Sequence, residues 1–171
     1  MHQPKLIILR GPSGSGKSTI SKILFENAQK KAALIEQDHY RFIFKPAGGG
    51  GKANSATIHK MIKSDTIIAL ADGYDVILEG ILGVTSYDKV LEDIFAAHPD
   101  NNFLYYFDIS FEETVKRHAT RTITQGSGFT EEDMREWYPA SRISDTFTEQ
   151  IISETSSIDD TVATILSDSG L

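Results

Sequence analysis

Apolar and polar positions along the chain switch repeatedly between two periods, and the switching outlines a fold. Residues 5–10 (KLIILR) form a short apolar run closed by a glycine, the pattern of a parallel strand buried on both faces. From residue 17 to about 31, Ile20, Ile23, Leu24 and Ala28 recur at helical spacing and predict an amphipathic helix against that strand. Residues 33–36 (ALIE) read as a second strand. It delivers residues 37–41 (QDHYR) at its carboxyl end, where open α/β sheets place ligands.

Residues 45–55 hold Pro46 and the glycine run 48–51, and read as a mobile loop because regular structure there carries a large entropic cost. Asn54 or Ser55 then caps a helix running to about Asp72, with Ile58, Met61, Ile62 and Ala69 inward and Gly73 as its stop. Residues 75–79 (DVILE) are the third strand. Tyr87, Val90, Leu91, Ile94, Phe95 and His98 share one face of the next helix, which Pro99 closes.

Residues 102–109 (NFLYYFDI) predict an aromatic-rich fourth strand, followed by a helix whose start carries Ser110 and Glu113 in capping-box spacing. Thr130 with Asp133 starts a short helix through Met134, Trp137 and Tyr138. With the polar, glycine-containing segment before it, this reads as a lid spanning about residues 122–142. Residues 144–152 hold a fifth short strand. Ser157 and Asp160 open a final helix with Ile158, Val162, Ile165 and Leu166 inward. Strand and helix alternate throughout, which predicts a three-layer α/β sandwich around a mainly parallel sheet.

Composition narrows the class. A chain of 171 residues suits one domain, residues 1–171, with a sizeable core. Its longest apolar runs, 6–9 and 67–71, are too short to span a bilayer, and no export signature is visible, so a soluble protein is expected. The absence of cysteine excludes disulfides, thiolate metal sites and a cysteine nucleophile. A net charge of −7 argues against a broad nucleic-acid or membrane surface.

Candidate chemistry concentrates at Gly11-Pro12-Ser13-Gly14-Ser15-Gly16-Lys17-Ser18, which matches G-x-x-x-x-G-K-[ST] at every fixed position. Glycines let backbone N–H groups wrap an anion, and the following helix offers its positive end. Gly11, Ser13, Gly14, Ser15, Gly16, Lys17, Ser18 and Thr19 are the expected nucleotide-binding residues, with Lys17 on the β- and γ-phosphates and Ser18 on Mg²⁺. The expected cofactors are ATP and Mg²⁺, and dependence on ATP places the protein in the cytoplasm.

Three further groups bear on the reaction. Asp38 follows the second strand and is placed to accept a proton from an acceptor hydroxyl; its alternative is a loop or helix-capping carboxylate. Arg41 reads equally as an acceptor contact or as a solvated arginine. Glu79 ends the third strand, where it would serve Mg²⁺ through water or cap local N–H groups. Arg117 and Arg121 share a helix face leading into the lid and would bring positive charge over a transferring phosphoryl group; their alternative is surface pairing, such as Glu113 with Arg117.

Together, GPSGSGKST, IEQDHYR, VILEG and FDISFEETVKRHATR resemble the small P-loop kinases, the group of zeta-toxin-like kinases, chloramphenicol phosphotransferase, gluconate kinase and the kinase domain of polynucleotide kinase. The resemblance runs from Lys5 to about Leu166. It implies a P-loop NTPase fold with a five-stranded parallel sheet in the order 2-3-1-4-5. It also implies Asp38 as the acceptor-activating carboxylate, Arg41 as an acceptor contact, and Arg117 and Arg121 as lid residues. The expected activity is ATP-dependent transfer to a hydroxyl of a small-molecule acceptor. A nucleotide-binding regulatory module or slow NTPase is one alternative, and a 5′-hydroxyl polynucleotide kinase the other. The acceptor, the choice of ATP over GTP and the oligomeric state are not specified by these motifs.

Overall fold

Every residue of β1 (Leu6–Arg10) is buried, and the two faces of the strand explain why. Leu6 and Ile8 point into one apolar cluster, Ile7 and Leu9 into another, as the period of two requires. The first cluster is completed by α3 (Ser55–Ala71) through Ile58, Ile62 and Leu70, and by α4 (Val84–Ala97) through Tyr87, Leu91 and Ile94. The second is completed by α1 (Lys17–Asn27) through Ile20 and Leu24, and by α7 (Ile158–Ser169) through Ile165. The chain is thus a three-layer α/β sandwich. In this computed structural model residues 3–44, 54–120, 130–139 and 143–171 are described.

The remaining strands are β2 (Ala32–Glu36), β3 (Asp75–Gly80), β4 (Asn102–Asp108) and β5 (Gln150–Ser153). All pairings are parallel, and the five strands lie in the order β2-β3-β1-β4-β5, the expected one. β1 is central, with Ile8 in register with Leu78 on one side and Leu104 on the other. The carboxyl ends of the strands therefore form one edge, onto which α1, α2 (Gln37–Phe42), α5 (Phe111–Ala119) and α6 (Glu131–Trp137) open.

Helix starts follow the side-chain chemistry read from the sequence. Asn54 accepts from the N–H groups of Ala56 and Thr57, Ser110 from Glu113, and Ser157 from Asp160. Thr130 and Asp133 form a reciprocal capping box on α6.

Several expectations shift. Residues 37–41 begin a helix directly at the end of β2, so Asp38 sits in its first turn. The fifth strand is shorter, beginning only at Gln150. Ile158, expected inward, is 50% exposed, while Thr161 and Ser169 take buried positions of α7. The glycine run 48–51 and residues 122–129 and 140–142 of the expected lid lie outside the described residues; residues 130–139, which hold α6, are described.

The segment before β5 is held by charge. Arg10 shares the face of Leu6 and Ile8, and its guanidinium is buried beneath α4. It lies 2.9 Å from Asp88 Oδ1 and 2.5 Å from Glu149 Oε1, and donates to the Leu82 carbonyl at 3.3 Å. Ser144 donates to the second oxygen of Asp88 at 2.6 Å, and its own N–H donates to Glu149 at 2.9 Å. Arg10→Ala would leave two carboxylates without their buried cation. It is expected to lower stability by about 3–5 kcal/mol, read as a shifted urea midpoint. Ser157→Ala, which removes a single cap, should cost about 1 kcal/mol on the same scale.

Candidate active site

The phosphate loop leaves β1 at Gly11 and closes into α1 at Gly16, whose left-handed backbone (φ 100°) supplies no side chain to cap the helix. The first turn of α1 also carries no carboxylate, so its N-terminal dipole faces the cleft uncompensated by acidic side chains. Lys17 is buried. Its ammonium donates to the Pro12 carbonyl at 2.7 Å and to Ser15 Oγ at 3.1 Å, within the arc of the loop.

Ser18 follows on the same turn and donates from Oγ to Glu79 Oε1 at 3.2 Å. Glu79 is 4% exposed at the end of β3. Burial pushes its carboxyl above the ordinary glutamate range, Asp38 and Glu36 reinforce the shift, and Lys17 and the Ser18 hydrogen bond oppose it. No group of three or more acidic or histidine side chains able to hold a metal ion occurs among the described residues. Mg²⁺ beside phosphates does not need such a cage, because phosphate oxygens and waters complete its shell. A hydroxyl and a buried carboxylate 3.2 Å apart at the loop fit that donor set.

Asp38 and Arg41 project from α2 into the same cleft, 3.5 Å apart as an ion pair and both well exposed. α2 itself is held by Tyr40, whose hydroxyl donates to Asp65 of α3 at 2.7 Å. Arg117 is differently engaged from a free lid arginine. It donates to Glu113 at 2.9 Å, to the Ser15 carbonyl of the phosphate loop at 3.1 Å and to the Glu154 carbonyl after β5 at 2.8 Å. The expected Glu113 pair is present, and the same guanidinium also ties the loop to the far wall. Arg121 lies outside the described residues.

α6 closes one side. Its buried Met134 packs on Gly14, where an added Cβ would come within 3.1 Å of the Met134 methyl and 2.9 Å of the Thr114 carbonyl, and where φ is +79°. Tyr138 donates to the Ile109 carbonyl at 2.8 Å and meets Phe111 edge-on.

These elements enclose a cleft of about 950 Å³ running from Asp38 and Arg41, past Lys17 and Glu79, to Ile152, Ser156 and Ile158. A second cavity of about 410 Å³ adjoins it, sharing Arg41, Ser55, Ile58, Ile81 and Trp137. Its floor is the His59–Tyr87 ring pair, with centroids 4.3 Å apart. The turn after β3 forms one wall and is set by Gln37, whose Oε1 accepts from Ile81 N at 2.9 Å and Leu82 N at 3.4 Å. Leu82 is held at φ 42°, with its carbonyl on Arg10.

Gln37, Arg10, Met134 and Trp137 were not singled out from the sequence. A signal existed only for Arg10, a charge at the end of an otherwise apolar strand.

The raised Glu79 pKa has a testable consequence. A carboxyl that holds its proton more tightly in the native state stabilises the fold fully below the ordinary glutamate range, and that contribution is lost as pH rises through the native value. In metal-free and nucleotide-free protein, Glu79→Gln should therefore gain urea resistance relative to wild type at about pH 8. The gap should close towards about pH 4.5.

Comparison with known proteins agrees with this geometry. The zeta toxin family model matches residues 1–135. No curated protein sequence matches significantly. Among solved structures, the Mycobacterium tuberculosis APS kinase CysC superposes with TM-score 0.70 at 15% identity, covering 98% of each chain. A gluconokinase from Sinorhizobium meliloti 1021 gives 0.68 at 16%, covering 99% of this chain and 94% of its own. A chain of the Pnkp1/Rnl/Hen1 RNA repair complex gives 0.59 at 25%, over 80% of this chain and 43% of the other. The sheet order, the phosphate loop and a family match reaching from β1 into α6 lead to one assignment: the chain has the P-loop kinase fold and belongs to the zeta toxin family.

Proposed function

We propose that the protein is an ATP-dependent phosphotransferase that moves the γ-phosphoryl group to a hydroxyl of a small-molecule acceptor. The observation that carries this reading is the shared cleft. Asp38 and Arg41 line it together with Lys17, Ser18 and Glu79, so a hydroxyl beside Asp38 and a phosphate on the loop face each other across one space.

Backbone N–H groups from Gly14 to Thr19 and the Lys17 ammonium hold the triphosphate. Mg²⁺ held by Ser18, and through water by Glu79, would supply neutralisation of charge on the phosphate oxygens. The acceptor oxygen bonds to the γ-phosphorus as the β–γ bridging P–O bond breaks, ADP leaves, and the acceptor proton passes to the Asp38 carboxylate. Arg117 holds the Ser15 carbonyl, fixing the loop during transfer. The neighbouring fold supports ATP as donor: the APS kinase structure is a complex with AMPPNP and APS.

Lys17→Ala should abolish turnover. Asp38→Ala should retain nucleotide binding and lower transfer by roughly a hundredfold or more. Both are read by incubating Mg-ATP with pooled sugars, nucleosides and aminoglycosides and following new phosphoesters by ³¹P NMR. Release of ADP and phosphate alone would favour a slow NTPase. Oligonucleotide-dependent, salt-sensitive turnover would favour a polynucleotide kinase. Unchanged transfer by Asp38→Ala would remove the assigned base.

A further inference from the structure

We infer that Gln37 is a positioning residue for transfer: it locks α2 onto the end of β3 and so fixes the Asp38 carboxylate relative to the phosphate loop. This rests on the phosphotransferase reading above, in which Asp38 is the base.

The strand ends set the frame. Arg10 of β1 lies in register with Gly80 of β3, and Glu36 of β2 with Glu79. The phosphate loop begins one residue after Arg10, and Gln37 follows Glu36, so the two chemical groups leave the sheet on either side of β3. Two strand spacings, about 10 Å, separate these departures. Gln37 lies directly against Gly80, where an added Cβ would come within 2.5 Å of its Oε1 and 2.6 Å of its Cβ. Glycine at that strand end is what lets the side chain lie there.

α2 needs such a clamp. It has six residues and no side-chain cap, and a helix of that length does not hold itself in water. Helical spacing divides its residues between two faces. Gln37 and Tyr40 are 4% and 8% exposed, whereas Asp38 and Arg41 face the cleft as an exposed ion pair. The buried pair therefore aims the exposed one.

Tyr40 pins the second turn through its hydrogen bond to Asp65 of α3. Gln37 pins the first, because its Oε1 accepts from both Ile81 N and Leu82 N. Leu82 is in turn held through its carbonyl by Arg10. Arg10, Leu82 and Gln37 are all buried, so the path from the phosphate-loop strand to the first turn of α2 runs through the interior. In-line attack is sensitive to that path, since a displacement of about 1 Å can cost a hundredfold in rate. Gln37 stands outside the lining of the nucleotide cleft, so loosening it moves Asp38 and leaves the triphosphate seat in place.

The test uses Gln37→Met, which keeps the side-chain length and removes the accepting oxygen, and Gly80→Ala, whose Cβ displaces Gln37 from the other side. Each is made alone and together with Asp38→Ala. The proteins are incubated with Mg-ATP and the member of the sugar, nucleoside and aminoglycoside pool that the wild type phosphorylates, and the phosphoester is followed by ³¹P NMR. Both single variants should lower kcat by roughly tenfold or more while ATP KM stays within about twofold. Added to Asp38→Ala, neither should lower kcat by more than about a further twofold, because residues that act as a unit are not additive.

An unchanged kcat in Gln37→Met, an equal fall with and without Asp38, or a matching rise in ATP KM overturns the inference and leaves the phosphotransferase reading intact. Full transfer by Asp38→Ala alone removes the base and the inference with it. ADP without any phosphoester overturns the phosphotransferase reading itself, and Gln37 is then judged by hydrogen exchange. The Ile43 amide, which donates to the His39 carbonyl at 3.3 Å, should exchange about tenfold faster in Gln37→Met while the amides of α1 keep the wild-type rate. Unchanged exchange at Ile43 overturns the clamp.

Discussion

The site depends on one strand being unable to move. β1 is buried on both faces, and each of Leu6, Ile7, Ile8 and Leu9 is shut off from solvent by helices on one side or the other. Burying such a side chain is worth roughly 1.5–3 kcal/mol, so withdrawing the strand from between the two helical layers would forfeit all four. The phosphate loop hangs from the end of this strand, and its position is therefore that of the sheet. Arg10 extends the constraint into polar chemistry. Its buried guanidinium joins β1 to α4, to the turn after β3 and to the segment before β5.

Around that anchor, opposite charges are brought together out of water. Lys17 and Glu79 are both nearly buried, and Ser18 bridges from the loop to the carboxylate. In a setting of reduced dielectric such groups act strongly on one another and on any phosphate placed between them. The carboxyl above its ordinary pKa records the cost of that burial. Arg117 and Met134 add mechanical support: one bonds the Ser15 carbonyl, the other packs on Gly14. The loop is thus braced from its solvent side by α5 and α6 as well as from below by the sheet.

The two adjoining cavities are built by different elements. The larger runs along the phosphate loop towards β5, and the smaller is walled by α3, the start of α4 and the end of α6. Gln37 and Arg10 hold the turn after β3 from its N–H and carbonyl sides, which stabilises the uncommon backbone of Leu82. Because Gln37 immediately precedes Asp38, the same helix that presents the carboxylate also shapes the neighbouring chamber.

The sequence by itself determined the layering, the parallel sheet and the phosphate loop at the end of its central strand. Those features are written in local, repeated signals: periods of two and 3.6, helix caps at Asn54, Ser110, Thr130 and Ser157, and a phosphate loop whose function resides in contiguous backbone. Even the burial of the first strand could be read, since an uninterrupted apolar run has no solvent-facing side. Tertiary structure alone decided that Arg10 meets Glu149 across 139 positions of chain, that Met134 rests on Gly14, and that Trp137 stands between two cavities. It also decided that Arg117 grips the Ser15 carbonyl. Such pairings depend on which helices cross which strand ends, and no local period encodes a partner so far along the chain.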